Sequence, residues 1–311
     1  MGTPDFAVQS LKTLVENEIN VVGVVTSPDK PAGRGKKITE SAVKKYASSQ
    51  NLKVLQPTNL KDEHFQQELK KLNADLQIIV AFRMLPEKVW SMPKLGSINL
   101  HASLLPQYRG AAPINWAVIN GEYKTGVSTF FLKHEIDTGD VIFQEEIEIN
   151  EKDNAGIVHD KLMNIGADLL LKTTNAIMEG DYTEMPQKQL LNNEIKHAPK
   201  IFKPNCKINW SKPINEIHNL IRGLSPYPCA WSELTEPNGD TNTFKLYDSN
   251  IEFAEHSNQT GEIISDNKTY IKIAVPNGFL IVNELHLAGK KRMKTKDFLQ
   301  GFKNIDQYKV K

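Results

Sequence analysis

Short apolar stretches alternate with segments of helical periodicity along residues 1–181, and this alternation is the feature that most constrains the fold. The clearest apolar stretch is Leu76–Phe82, which is typical of a strand covered on both faces. Strands that alternate with helices favour a mostly parallel sheet with helices on both faces. The sequence therefore predicts a doubly wound, Rossmann-like α/β domain. The other predicted strands are Val21–Thr26, Ile98–Leu105 and Val127–Leu132, and the clearest predicted helices are Ser41–Asn51 and Ile157–Met178.

The chain opens on a helix, with no strand before it. Thr3 is predicted as the N-cap, Pro4 as the first helical residue and Asp5 as an acid at the positive helix end, with the helix running to Glu16. In a doubly wound fold such a helix follows a strand near the centre of the sheet. We therefore expect that the first strand is missing and that Met1 is an internal methionine. The alternative is that another segment fills the gap.

The pattern changes in the second half of the chain. Residues 182–204 are polar, contain three prolines and are interpreted as a linker between domains 1–181 and 205–311. After the linker, Ser211 is the predicted cap of a helix whose apolar face carries Ile214, Ile217 and Ile221. The short strands that follow predict a small β-barrel-like domain. They are Phe244–Tyr247, Glu262–Ser265, Tyr270–Val275 and Phe279–Leu287.

Composition excludes several classes of protein. The net charge of the 311-residue chain is only +1, so binding of a nucleic acid would depend on local basic patches. Cys206 and Cys229 lack the spacing of a zinc site or a disulfide framework. No apolar run approaches the ~20 residues that span a bilayer, and no signal peptide opens the chain. We expect a cytoplasmic protein with no metal and no membrane partner.

One stretch, Asn99–Pro106, is rich in groups that could carry chemistry. Asn99 and His101 are two residues apart in a predicted strand, so their side chains share one face. Open α/β sheets bind ligands at the carboxyl ends of their strands, and Asp137 lies in a turn after a later strand. An amide and an imidazolium can stabilise a developing oxyanion, while a carboxylate keeps the imidazole charged or accepts a proton. These three residues suit acyl transfer to an amine.

Each of these residues also has a purely structural interpretation. A histidine at a strand end is more often structural than catalytic, and Asp137 and Asp140 could simply form a turn. Ser103 is the nearest hydroxyl, but it lacks the G-x-S-x-G turn of an esterase. From the chemistry alone, both interpretations stay open.

Five motifs together resemble the methionyl-tRNA formyltransferases, and the resemblance covers nearly the whole chain. They are G-T-P-D-F at 2–6, S-P-D-K-P-A-G-R-G-K-K at 27–37, N-L-H-A-S-L-L-P at 99–106, R-G-A-A-P-I at 109–114 and D-T-G-D at 137–140. The S-L-L-P and D-T-G-D elements are shared with other 10-formyltetrahydrofolate-dependent transferases. The strand that precedes G-T-P-D-F in this family is absent here.

The resemblance implies that Asn99, His101 and Asp137 are catalytic, that 10-formyltetrahydrofolate is the co-substrate and that initiator methionyl-tRNA is the partner. It also implies that the pterin end of the folate is held largely through main chain, and that the second domain is an OB-like tRNA-binding domain of a monomer. The predicted folate-binding residues are Val80, Ala81, Phe82, Arg83, Met84, Leu85, Pro86, Ser103, Leu104, Leu105, Pro106 and Asp140. The predicted tRNA-binding residues are Arg34, Lys36, Lys37, Lys290, Lys291 and Arg292.

Two basic segments support a nucleic-acid partner, although basic runs are more often solvated surface. Residues 26–45 carry six basic and two acidic side chains, and residues 289–311 carry eight basic and two acidic ones. A formyltransferase acting on a small amine, such as a purine precursor or an amino sugar, would have little use for them. An RNA-binding protein with a non-catalytic α/β domain would leave the trio of Asn99, His101 and Asp137 unexplained.

Overall fold

The computed structural model describes residues 1–32, 37–191 and 194–311. The helices are α1 (Asp5–Glu16), α2 (Ala42–Ser49), α3 (Glu63–Lys71), α4 (Glu87–Trp90), α5 (Pro113–Ile119), α6 (Ala155–Glu179), α7 (Ile214–Leu224) and α8 (Thr295–Gly301). Short 3₁₀ helices occupy Gln187–Leu190, Lys203–Cys206 and Ile305–Gln307. The strands are β1 (Val24–Val25), β2 (Lys30–Ala32), β3 (Lys37–Thr39), β4 (Val54–Leu55), β5 (Gln77–Val80), β6 (Ser97–His101), β7 (Arg109–Gly110), β8 (Lys124–Phe131), β9 (Val141–Glu148), β10 (His197–Ala198), β11 (Ala230–Thr235), β12 (Thr241–Phe253), β13 (Ile263–Ser265), β14 (Ile271–Val275), β15 (Gly278–Leu287), β16 (Met293–Lys294) and β17 (Lys309–Val310).

The chain forms two compact units, and each is built from several segments. The first unit contains residues 1–110, 124–147 and 159–197, and the second contains 111–123, 148–158 and 198–311. Most of the predicted linker, up to residue 197, thus belongs to the first unit. The continuous boundaries 1–181, 182–204 and 205–311 stay predictions.

Parallel strand pairs form the frame of the first unit. Strand β1 pairs with β4, and β5 pairs with β6, both in parallel. Strand β8 pairs with β6 in the antiparallel sense, and β9 lies beyond it. The predicted Rossmann-like α/β class is confirmed, with β8 as an antiparallel member of the sheet. The predicted strand Ile98–Leu105 ends at His101, where the chain turns.

Helices cover both faces of this sheet. On one face α6 lies so close that a Cβ added to Gly166 would stand 3.1 Å from Leu100 Cδ2. On the opposite face Phe65 and Leu69 of α3 join a buried cluster with Ile79 of β5. Ile79 is the register partner of Asn99, so the two side chains point to the same face of the sheet. Helix α3 covers this face beside Ile79, and Asn99 lies on it further along the sheet.

Two predicted helix caps are wrong. Helix α1 begins at Asp5, and its N-cap is Pro4, which keeps an extended backbone with ψ of 175° and makes no side-chain cap bond. Helix α7 begins at Ile214 after Pro213, so Ser211 is not its cap. In both cases a proline, which has no backbone N–H to lose, occupies the position just before the helix.

The second unit contains a closed ring of antiparallel strands. The ring runs β13, β14, β15, β12, β11 and β17, and an antiparallel bridge between Glu262 and Lys309 joins its two ends. Helix α7 contributes Ile214, Ile217 and Ile221 to the buried core of this unit. The predicted OB-like barrel class is confirmed.

A cavity of about 590 Å³ lies where the sequence predicts a missing strand. Gly2 donates to Val25 O at 3.0 Å, and Val80 donates to Met1 O at 2.9 Å, so residues 1–2 bridge β1 and β5. Beside this bridge the cavity is lined by residues 19–25 and 72–78 among others. The Met1 amino group lies against it, donates to Ile78 O at 2.6 Å, and burial lowers its pKa to about 5. The missing strand itself stays a prediction.

We expect an apolar, β-branched extension of about five residues ahead of Met1, the usual length of a strand, to raise the urea midpoint of unfolding. It would pair the facing strands and remove the buried amine. That amine has a pKa of about 5 when folded and about 8 when unfolded, so the unfolded state binds the extra proton between these values. The chain without the extension therefore loses stability as the pH falls from 8 to 5, by up to about 1.4 kcal/mol per pH unit.

The stabilisation by the extension should consequently be larger at pH 6 than at pH 8. A glycine–serine extension of equal length removes the buried amine without supplying a strand, and it separates the two contributions. An apolar extension that leaves the midpoint unchanged at both pH values would contradict the missing-strand prediction.

Candidate active site

The candidate site is built on β6. Leu100 is buried against α6, so its neighbours Asn99 and His101 point to the opposite face. Asn99 is half-buried, and its amide makes no hydrogen bond to any described residue. A half-buried amide with unused donors is available to a ligand, since polar groups removed from water otherwise find partners.

His101 is buried, and both of its ring nitrogens face oxygen atoms. Nε2 lies 2.9 Å from the carbonyl oxygen of Tyr108. A carbonyl oxygen only accepts, so Nε2 carries the proton of this bond. Nδ1 lies 3.9 Å from Asp137 Oδ2, a separation longer than a hydrogen bond. The arrangement fixes the imidazole by one nitrogen and leaves the other opposite a carboxylate.

Asp137 reaches the histidine from the loop between β8 and β9. Its backbone is left-handed, with φ of 55°, and its Oδ2 accepts a hydrogen bond of 2.9 Å from Gly110 N. Aspartate tolerates this conformation better than most residues, although it still costs about 1 kcal/mol. The structure thus brings His101 and Asp137 together, with Asn99 on the same strand face as His101.

The D-T-G-D loop leaves no room for a side chain at its third position. A Cβ on Gly139 would fall 1.6 Å from Phe131 O. The last residue of the motif, Asp140, forms a 2.5 Å ion pair with Lys133 through Oδ2. The carboxylate of this half-buried residue is therefore engaged with Lys133, and folate contact by Asp140 stays a prediction.

The sequence alone does not predict two polar residues of this site, Gln187 and Arg109. The side chain of Gln187 contacts the main chain of Asp137 and the guanidinium of Arg109. The sequence motif that contains Arg109 predicts no role for it, and Gln187 lies in the predicted linker. Neither has a local sequence signal, because the contacts join residues 78 and 50 positions apart.

The predicted pterin-binding segment follows β5, next to the end of β6. Val80 and Leu85 are buried, whereas Ala81, Arg83 and Met84 are exposed. The main-chain groups of residues 82–84 form no hydrogen bond within the described chain. Arg83 is turned away, with its guanidinium on the carbonyl oxygens of Pro57 and Thr58. Unpaired main-chain groups, together with the exposed side chain of Met84, are therefore what this segment offers to a ligand.

The four residues of the S-L-L-P turn have supporting contacts. Ser103, Leu105 and Pro106 are buried and Leu104 is half-buried. Ser103 Oγ donates to Gln107 O at 2.6 Å, and Leu105 N donates to Ser128 Oγ at 3.0 Å. These bonds stabilise the turn after β6, and this turn places the carbonyl oxygen of Tyr108 against His101. Folate contacts by these residues stay predictions.

The basic residues predicted to bind tRNA are only partly described. Arg34 and Lys36 lie outside the described residues, and Lys37 opens β3 of a two-stranded hairpin. Lys290, Lys291 and Arg292 are exposed between β15 and β16. Arg292 is engaged, with Nε and Nη2 on Glu284 at 2.8 and 2.6 Å and its guanidinium carbon 4.0 Å from the centre of the Tyr247 ring. The positive charge of Arg292 is thus partly neutralised.

The described residues contain no group of three or more His, Cys, Asp or Glu side chains that could hold a metal ion. No helix in the part of the chain that the structure describes is long and apolar enough to cross a membrane.

Comparison with known proteins identifies the class. Residues 1–174 match the family described as formyl transferase, and residues 200–303 match the formyl transferase C-terminal domain. The chain belongs to the formyl transferase family. A methionyl-tRNA formyltransferase of Bacteroides fragilis is 56% identical over 312 residues, which cover 100% of this chain and 96% of that protein. One from Flavobacterium johnsoniae is 55% identical, covering 100% of this chain and 97% of that protein. The resemblance found from the sequence is confirmed.

Solved structures share the fold at low sequence identity. An N-formyltransferase from Helicobacter canadensis, in complex with folinic acid and dTDP-3-aminofucose, has a TM-score of 0.66 and 22% identity over 92% of this chain and 97% of its own. A sugar 3N-formyl transferase, solved in the presence of dTDP and 5-N-formyl-THF, has a TM-score of 0.65 and 22% identity, covering 93% and 97% of the two chains.

We expect Gly139→Ala to lower the free energy of unfolding by about 2 kcal/mol or more, because overpacking against rigid main chain forces the loop to move. Gly301→Ala is the control, since a Cβ there meets nothing within 4 Å. Urea denaturation measures both changes. Equal urea midpoints for the two variants would show that the D-T-G-D loop can move to accommodate the Cβ without a loss of stability.

Proposed function

We propose that the chain transfers the formyl group of 10-formyltetrahydrofolate to the α-amino group of initiator methionyl-tRNA, for the initiation of translation. The observation that carries the proposal is the 3.9 Å approach of Asp137 to His101, on the strand face that also bears Asn99. This arrangement belongs to a chain whose relatives named methionyl-tRNA formyltransferase match it over its whole length at 56% identity.

The proposed reaction is a direct transfer through a tetrahedral intermediate. The neutral amine attacks the formyl carbon, a C–N bond forms, and the carbonyl electron pair moves onto oxygen. The bond from that carbon to N10 of the folate then breaks, and N10 takes up a proton while the amine loses one. A chain-terminal α-amino group has a pKa of about 7.7–8.0, and that of an aminoacyl ester is lower, so a useful fraction is already neutral near pH 7.

Each member of the trio has a distinct role in this proposal. The unused amide N–H groups of Asn99 donate to the developing oxyanion, as in other oxyanion sites. His101 keeps Nε2–H on Tyr108 O, so Nδ1 is the nitrogen that serves the reaction. Asp137 stabilises the protonated imidazole and helps to move the proton from the amine to N10, with water as a relay. Positioning of the two substrates supplies much of the remaining acceleration.

The two substrates would be held by different parts of the chain. The unpaired main chain of residues 82–84 supports a role in holding the pterin ring beside β6. The basic sequence around Arg34 and the exposed Lys290 and Lys291 support binding of a polyanion. An enzyme for small amines would use the trio but not these lysines. Location in the cytoplasm and a monomeric state stay predictions.

We expect Asn99→Ala, His101→Ala and Asp137→Ala each to lower kcat by roughly 10²-fold or more, the scale for loss of an oxyanion donor or an acid–base group. Formylation of methionyl-tRNA by purified protein measures the effect. His64→Ala is the control, because that side chain is 82% exposed and lies outside the site. The assignment of the site fails if all three variants turn over at near-normal rates.

Arg34→Ala should raise the KM for methionyl-tRNA and leave the KM for 10-formyltetrahydrofolate nearly unchanged.

If Lys290 and Lys291 each contact a phosphate, replacing both by alanine should lower the slope of log affinity against log salt by about 2. Arg292→Ala is the informative comparison, because its partner Glu284 already offsets its charge and a smaller change in slope is expected. Unchanged salt dependence in the double variant would remove this turn from the tRNA surface.

A further inference from the structure

The side chain of Gln187 lies at the centre of a hydrogen-bonded cluster that includes Arg109 and the loop of Asp137. The residue opens the 3₁₀ helix Gln187–Leu190 and is only 4% exposed. The chain reaches it through Met185, which pairs with Val141 by two main-chain bonds of 2.8 and 2.9 Å. A buried amide at the start of a polar segment requires an explanation, because such groups are costly to bury unless their bonds are completed.

The amide of Gln187 forms four hydrogen bonds. Its Oε1 accepts from Arg109 Nε at 2.9 Å and from Arg109 Nη2 at 2.6 Å. Its Nε2 donates to Asp137 O at 2.9 Å and to Gly139 O at 2.7 Å. A primary amide has two acceptor lone pairs and two donor hydrogens, so its capacity is used completely. The guanidinium can only donate, and this fixes which end of the amide faces the two carbonyl groups.

The four bonds act on the loop that presents Asp137. The donors hold the carbonyl groups on either side of Thr138, in a loop where Asp137 itself is left-handed at φ 55°. The acceptor holds Arg109, and the next residue, Gly110, donates its N–H to Asp137 Oδ2 at 2.9 Å. Both the main chain and the carboxylate of Asp137 are therefore tied to Gln187, one directly and one through Arg109.

We infer that Gln187 is a positioning residue, which sets the Asp137 carboxylate at its distance from His101 Nδ1. The inference rests on the proposed role of Asp137 in formyl transfer. The four bonds use the whole capacity of the Gln187 amide, so it forms no hydrogen bond with the imidazole or with the carboxylate. Its loss should therefore lower kcat through Asp137 and leave the binding of both substrates nearly intact.

The test compares Gln187→Leu and Gln187→Glu. Leucine removes all four bonds, whereas glutamate retains the acceptor for Arg109 and places a charged oxygen against the two carbonyl groups. Both variants should lower kcat by ~10-fold to 100-fold, the scale of a misplaced catalytic group. The KM for methionyl-tRNA and the KM for 10-formyltetrahydrofolate should stay within about threefold. Gln189→Leu is the matched control, since Gln189 is exposed in the same 3₁₀ helix.

A double-variant cycle distinguishes positioning from a general loss of structure. In an Asp137→Ala background, Gln187→Leu should lower single-turnover formylation little further, because residues that act through one group are not additive. An equal loss in both backgrounds, or normal kcat in Gln187→Leu and Gln187→Glu alike, would overturn the inference. Full activity of Asp137→Ala itself would instead refute the proposed role of Asp137, and with it the positioning role.

Discussion

The site depends on the place of β6 in its sheet. Its parallel pairing with β5 places Val80, the last residue of β5, beside Leu100, and its antiparallel pairing with β8 places Phe130 opposite Asn99. One short strand therefore gathers the segment after β5, the trio's amide and imidazole, and the loop that follows β8. Hydrogen bonds between strands are cooperative and geometrically strict, so these three segments cannot shift independently.

A second layer of polar contacts surrounds this strand. The imidazole of His101 is held by Tyr108 O, and the turn that delivers this oxygen is itself bonded to Ser128. On the other side, Gln187 and Arg109 hold the loop of Asp137. Preorganised sites of this kind need outer contacts because the reacting groups must stay within a fraction of an ångström of their working geometry.

The sequence predicts what is written in local pattern. Apolar runs predict the strands, the spacing of Asn99 and His101 predicts a shared face, and the quoted motifs predict the family. It does not predict Gln187, since a contact across 50 residues leaves no periodic signal and a glutamine after a proline looks like linker. The sequence also does not predict the helix starts at Asp5 and Ile214, because proline and hydroxyl residues compete for the same cap position.

The proposed recognition of folate through unpaired main chain at residues 82–84 has a consequence for which amino-acid substitutions the protein can accept. Every amino acid except proline offers the same N–H and C=O, so a ligand held there does not depend on which side chain is present. Met84, whose side chain is 72% exposed, can be exchanged for many residues without altering these atoms. If the proposal is right, substitutions in this segment should be tolerated, and only changes in the backbone path should impair the binding of folate.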